Sequence, residues 1–428
     1  MSPNTEWDDV WLAIKMIPGI IFRGTARNNT QKYAEKLEDE FKKYLGTNFA
    51  YSFNSGRSSL MAILYALGIK EGDSSFAKAS GDKEILIQAF TCNAVPNPIL
   101  WLGAKPIYVD IDDSLNIDPE DLEKKICSRS RAIIVQYTFG FPVKMDRILE
   151  IAKRHNLYVV EDCAHSLGAR YDEKLVGTIG DIAFFSFGRD KVISSVWGGM
   201  VATNNPDFAG KIEEFQQNLF YPSKFWIFQQ LLHPILFNLF ILPFYNFFSF
   251  GKLLLVLFQK FNLLSKAVTK KEKAGLRPPY FPKKMPEALA MLALNQFRKL
   301  ERFNEHRRKI ADLYKKNLIR KFEKDSLFVD EIPGGIYWRY PIFAENPEEI
   351  AKKAKKSGIL FDDGWWGSSI MPKGTELAKM GYKIGDCPKA EKIAKHILSL
   401  PTHVNISEKD AQKIVNFLAD YGNQKNRQ

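Results

Sequence analysis

Residues 131–168 read RAIIVQYTFGFPVKMDRILEIAKRHNLYVVEDCAHSLG, and this stretch decides the fold. Arg131 to Gln136 is an apolar, β-branched run of strand length, and Leu157 to Glu161 is a second one. Between them Asp146 to His155 places Ile148, Leu149 and Ala152 on one helical face. Strand, amphipathic helix and strand in that order form a crossover unit, which pairs its strands in parallel and covers one sheet face with the helix. The pattern continues outward. Glu84 to Ala89 and Lys105 to Asp110 read as earlier strands, Asp181 to Phe187 as a later one, and a helix begins just after Ser55-Gly56 with Leu60, Met61, Leu64 and Leu67 at helical spacing. The fold class is therefore α/β, a mainly parallel central sheet with helices on both faces.

A chain of 428 residues is long enough for two to three domains. Residues 1–215 are expected to form the large domain, 216–275 an aromatic-rich insertion, and 276–428 a bridging helix followed by a smaller α/β domain. Within the first, the small polar stretch 74–83 reads as a mobile surface insertion. The bridging helix is marked by Leu289, Leu292, Ala293, Phe297, Leu300, Phe303, Ile310 and Tyr314. In the last domain Gly335 to Phe343 is strand-like, while Pro347 to Lys356 and Ser407 to about Tyr421 are helical. No internal repeat is seen.

Hydrophobic residues make up 45% and charged residues 26% of the chain, the balance of a packed protein, and a net charge of +12 favours anionic partners. Four cysteines with no C-x-x-C pair support neither a disulfide framework nor a metal site. The acidic start MSPNTEWDDVW argues against a secretory signal, so a cytoplasmic location is expected.

The 27 residues from 225 to 251 carry no formal charge, and ten are aromatic. Pro234 and Pro243 interrupt the run, and Gln229, Gln230, His233, Asn238 and Asn246 dilute it, so a spanning helix is not expected. Two readings stand. The segment 224–264 is either an interfacial element that meets the inner face of a membrane through aromatics and flanking lysines, or a core or subunit-interface hairpin.

Three further motifs carry chemistry. Asp162 and His165 stand just beyond the carboxyl edge of a parallel strand, where ligands bind in open α/β sheets. Lys191 lies in a loop after Phe185-Ser186-Phe187-Gly188 and before Gly198-Gly199. Ser55-Gly56-Arg57-Ser58 opens a helix whose N–H groups could hold a phosphate. Taken singly, Asp162 reads as a helix cap, Lys191 as a solvated lysine and Ser55 as an ordinary N-cap. Together they match one cofactor, pyridoxal phosphate, which needs a lysine for its Schiff base, an acid against its pyridine nitrogen and a phosphate cup.

At these residues, and at Gly103-Ala104-Lys105-Pro106 and Gly140 through Asp146, the chain resembles the sugar aminotransferases of the DegT/StrS type, within the fold-type-I aspartate aminotransferase superfamily. The resemblance covers nearly the whole chain. It implies that Lys191 carries the cofactor and moves protons, that Asp162 pairs with the pyridine nitrogen, and that His165 contacts the phenolic oxygen. Ser186 and the backbone of Gly56 and Arg57 would hold the phosphate, and Cys92 would stand where the family stacks an aromatic ring on the cofactor, with Phe90 a candidate substitute. A sibling group that removes a sugar hydroxyl carries His where this chain has Lys191.

The resemblance further implies a homodimer that transfers an amino group from an amino acid, by family habit L-glutamate, to a nucleotide-linked keto sugar in amino-sugar and surface-polysaccharide biosynthesis, with no nucleic-acid partner. The alternatives are a pyridoxal phosphate fold of another reaction type, dehydratase-like or regulatory, and a membrane-surface scaffold on an inactive enzyme fold. Gly275-Leu276-Arg277-Pro278-Pro279 replaces the family's Gly-x-Asn-x-Arg element, which leaves open the residue that crosses the dimer interface.

Overall fold

The computed structural model describes residues 4–23, 32–70, 83–245, 250–319, 333–361 and 369–425. The strands are β1 (Phe49–Phe53), β2 (Glu84–Gln88), β3 (Lys105–Val109), β4 (Ser130–Gln136), β5 (Tyr158–Asp162), β6 (Arg170–Tyr171), β7 (Lys174–Leu175), β8 (Ile182–Ser186), β9 (Gly199–Thr203), β10 (Arg339–Phe343) and β11 (Ile397–Pro401). Seven of them form one sheet in the order β1-β9-β8-β5-β4-β2-β3. The five from β3 to β8 are mutually parallel, whereas β9 runs antiparallel to both β8 and β1. All five predicted strands are present, each within a residue or two of its expected ends. β2 is buried throughout and β4 and β5 nearly so, as parallel strands covered on both faces must be. The Gly56–Ala66 helix lies over β8 and β9, and the Met145–Arg154 helix returns the chain to β5.

The single bridging helix expected from the sequence is two helices, Glu287–Phe297 and Leu300–Ile319. The chain breaks at Arg298-Lys299, where Lys299 reaches Asp8 (2.8 Å) and Asp9 (3.1 Å) at the start of the Trp7–Pro18 helix. Leu289, Leu292, Phe297 and Phe303 belong to the core under the large sheet. Ile310 and Tyr314 belong to a second core, built with Tyr340, Ile342, Leu398, Leu400 and Val415 around the antiparallel pair β10–β11. Of the predicted insertion 74–83, only Lys83 lies within the described residues, and its amine donates to the carbonyl of Gly68 at 2.6 Å.

The aromatic segment divides in two. The Lys224–Leu236 helix is largely buried, with Trp226 packed on Trp197 and Tyr280. Pro234 does not end it. The helix runs on to Leu236 and passes into a π-helical turn, Phe237–Ile241, and the Asn238 amide donates to the Pro234 carbonyl at 2.8 Å. In the Phe250–Lys260 helix, Leu254, Leu255 and Phe258 pack inward on Phe237, Ile241 and Leu264. Its other side, Phe250, Leu253, Val256 and Leu257, is exposed, as is Phe261 just beyond it. No described helix is long and apolar enough to cross a membrane.

Candidate active site

Strand pleating separates the two carboxylates that end β5, because successive side chains point to opposite faces. Glu161, fully buried, accepts 2.7 Å hydrogen bonds from the backbone N–H groups of Gly177, Ile179 and Gly180, and another from the Tyr137 hydroxyl. It pins a turn and is spent as a structural group. Asp162 instead faces a cavity lined by Ser55, Gly56, Arg57, Cys92, His165, Ser186 and Lys191 as well. Apart from Phe90, every candidate residue read from the sequence thus lies around one space, at the carboxyl ends of β5 and β8 and the N-terminus of the Gly56–Ala66 helix.

Asp162 caps no helix, contrary to the simplest reading of its position. The chain after β5 forms a turn in which the carboxylate accepts the N–H of Ala164 at 3.0 Å. Burial pushes its carboxyl up to about 6, against smaller opposing effects of that hydrogen bond and of Lys191. Lys191 is not a solvated loop lysine either, since its Nζ lies 2.9 Å from Nε2 of His165. The imidazole is held well below its usual titration range by burial first and by Lys191 and Arg339 second, so it is neutral. It lies flat on the indole of Trp338, ring centroids 3.9 Å apart, and that indole N–H is anchored on the Asp190 carbonyl at 2.6 Å.

Ser55 does cap the helix, its hydroxyl accepting the N–H of Ser58 at 3.1 Å, and the same helix start opens into the cavity. Capping and anion binding are therefore compatible readings of one motif. The cup is tightly built. A Cβ on Gly56 would come 3.0 Å from the Cβ of Ser186, and one on Gly199 would come 2.5 Å from the backbone carbon of Ser55. The Arg57 side chain is committed to buried Glu272 (2.7 Å) and to the carbonyl of Ala267 (3.2 Å), which leaves its backbone N–H for an anion. Cys92 lines the cavity with its thiol pushed up by burial. Phe90 is fully buried beside Phe139 and is not among the lining residues, so it does not substitute for a stacking ring there.

Sequence reasoning missed Gln136 and Arg189 in the cavity wall, Trp338 behind His165, and the strap after the insertion, where Ala267 and Val268 close one side of the cavity. An indole nearly 150 residues after Lys191, packed into the main core, and a strap some 75 residues after Lys191 have no local signature. Beyond the strap, Gly275 accepts from the Trp101 indole at 2.8 Å, so this departure from the family's element packs on its own chain. A second, larger cavity of about 720 Å³ adjoins the first, sharing Arg189, Asp190 and Ala267 with it and running out between the insertion and the second core.

The model of the DegT/DnrJ/EryC1/StrS aminotransferase family matches residues 21–226 and 259–419. The chain belongs to that family. It is accordingly a pyridoxal-phosphate-dependent sugar aminotransferase. The residues left unmatched between the two segments, 227–258, are the core of the aromatic insertion. Among relatives, an uncharacterized protein of Methanocaldococcus jannaschii is 30% identical over 395 residues, covering 89% of this chain and 88% of its own. A GDP-perosamine synthase of Escherichia coli O157:H7 is 27% identical over 399 residues, covering 91% and 90%. A putative sugar aminotransferase of Streptococcus pneumoniae, solved in a PMP form, superimposes with a TM-score of 0.71 at 19% identity, covering 99% of this chain and 98% of that one.

The cavity fits the family's cofactor by its own features: a half-buried lysine amine, a buried carboxyl, a helix start with little room for a side chain at Gly56, and a buried His165 Nδ1 that no protein group satisfies.

Proposed function

We propose that this aminotransferase moves an amino group from L-glutamate to a nucleotide-linked keto sugar, working as a homodimer whose insertion rests on the inner face of a membrane. The observation that carries the chemical part is the 2.9 Å approach of Lys191 Nζ to His165 inside a cavity that also holds Asp162 and the Ser55–Arg57 helix start. In this reading Lys191 anchors the cofactor and then, released, takes the proton from the donor's α-carbon at its Nζ. Asp162 holds a cation on the ring nitrogen, His165 contacts the phenolic oxygen, and Gly56, Arg57 and Ser186 hold the phosphate. The cofactor bound there would supply an electron-withdrawing ring and a place for the amino group between donor and acceptor. The larger cleft, with Lys266, Lys355 and Lys413 along it, has the size and charge for a sugar bearing a diphosphate.

Support for the membrane contact is the exposed face of the Phe250–Lys260 helix, with Leu253 at 53% and Val256 at 61% exposure, bordered by Lys252 and Lys260.

The deciding experiment is the visible spectrum of the purified protein. An absorption band removed by borohydride with label fixed at Lys191, and bleached by L-glutamate, supports the reading. A band that glutamate leaves unchanged overturns the choice of donor, and no band after added pyridoxal phosphate overturns the assignment of the site.

A further inference from the structure

Arg189 stands two residues before Lys191, is only 8% exposed, and lines both the cofactor cavity and the larger cleft. Its two terminal nitrogens donate to the carbonyl oxygen of Ser265, at 2.5 Å, and to that residue's hydroxyl. Both acceptors are neutral. Its buried Nε has no partner, and no carboxylate among the described residues lies within the 4.0 Å of an ion pair. Two of the five N–H donors of a guanidinium are thus used and three remain.

Arg57 shows what this fold does with a structural arginine: it sets buried Glu272 2.7 Å away. Arg189 has no such counter-charge, and burial pushes it down to about 10, with Asp190 pulling weakly the other way. The Asp190 carboxyl is itself held below its usual range, against the effect of burial, chiefly by Lys191 and Arg339. A buried cation left on neutral partners is costly, and the cost is recovered when an anion arrives to complete it.

The position selects the anion. Lys191 must reach the α-carbon of the donor, and the donor's carboxylate is one bond from that carbon. An anion receptor in the wall shared by the two cavities, beside Lys191, is therefore placed for that carboxylate. The diphosphate of a sugar substrate is several bonds from the reacting ring carbon and belongs farther out in the cleft. We infer that Arg189 is the receptor for the carboxylate of the amino-acid donor, with Ser265, at the end of the insertion, holding the guanidinium in register. This rests on the aminotransferase reading above.

The test uses the holoenzyme, R189Q and R189K. In R189Q the glutamate concentration that half-bleaches the band should rise roughly 10- to 100-fold, the size of one charged hydrogen-bonded contact, with R189K in between. Glutarate, which has the donor's shape but no amine, should raise the melting temperature of the wild type and not that of R189Q. Unchanged glutamate titration and an unchanged glutarate shift in R189Q overturn the inference. So does a loss confined to the return half-reaction with keto sugar, which would assign Arg189 to the diphosphate. Equal losses in both half-reactions, with a lowered melting temperature that R189K does not restore, would make Arg189 structural and also overturn it. Absence of any band in the wild type would count against the aminotransferase reading instead.

Discussion

The amine of Lys191 stands 2.9 Å from Nε2 of His165. Because the imidazole is neutral, the Lys191 amine donates and Nε2 accepts, which assigns the remaining ring hydrogen to Nδ1. When Lys191 turns to the cofactor, Nε2 loses this partner and becomes available to another oxygen or nitrogen. Trp338 fixes the ring plane throughout by stacking on it at 3.9 Å.

Removing either partner should have different signatures. Lys191→Ala is expected to abolish turnover, a loss of at least roughly 10²- to 10⁴-fold from proton transfer alone, and to leave no borohydride-fixed label. His165→Ala should keep the label but shift the absorption band and slow turnover by roughly 10-fold or more. A Lys191→Ala protein with wild-type turnover would refute the assignment of the lysine.

Asp162 makes a prediction whose sign depends on the cofactor. Its folded-state carboxyl titrates at about 6, above its ordinary value of 3.8. In the cofactor-free protein, its contribution to stability is complete below the unfolded value and is lost as pH rises through about 6. Asp162→Asn should therefore melt progressively higher relative to wild type between about pH 4 and 6.5 and level off above that, by of order 2–3 kcal/mol at most. Bound cofactor reverses the order, because a ring cation against the carboxylate favours the ionised form. Melting curves of both proteins across that range, with and without pyridoxal phosphate, check both signs. A difference independent of pH would show that Asp162 does not carry the burden of burial.

The phosphate cup can be probed without touching a charged group. Gly199 on β9 lies so close to the Ser55–Gly56 peptide that an added Cβ would meet Ser55 at 2.5 Å and the Gly56 nitrogen at 2.6 Å. Both are backbone atoms and cannot rotate away. Gly199→Ala should cost about 1–3 kcal/mol of stability as an overpacked site and weaken cofactor binding more than it lowers the melting temperature of the cofactor-free protein. Equilibrium titration with pyridoxal phosphate separates the two effects, and an unchanged affinity would remove Gly56 from the cup.

What the sequence disclosed and what it withheld follow from range. Strands β2 to β5 and β8 were legible because parallel strands are short, continuous apolar runs between amphipathic helices, and the site residues at their ends came with them. β1 and β11 escaped although helices flank both, because their five residues, FAYSF and ILSLP, hold no run of β-branched residues. Asp162 looked like a cap because only the fold shows that a turn follows it. Trp338 and Ser265 could not be placed at the site from local pattern, since β10 and the strap reach it only through tertiary packing. The aromatic segment gave two readings because burial cannot be read from composition. Its first helix is core, and its second presents an apolar face to solvent.

That second helix gives the last prediction. Phe250, Leu253, Leu257 and Phe261 are spaced by three and four residues, one face of a helix, and all are exposed, while Leu254, Leu255 and Phe258 on the adjoining face are packed inward. A helix apolar on both sides with one side bare needs a cover, and the bordering Lys252 and Lys260 suit an anionic bilayer. The protein should therefore float with vesicles containing phosphatidylserine and float less with purely zwitterionic ones, and added salt should weaken the binding. The double variant Leu253→Glu, Leu257→Glu should lose flotation, since the substituted side chains are already in water and folding is little affected. Its bleaching by glutamate should stay unchanged, because Lys191, Asp162 and Arg189 lie elsewhere. Sedimentation of the same variant decides the competing case: wild-type flotation combined with loss of the dimer would make this face the cover for a second subunit instead of a lipid surface.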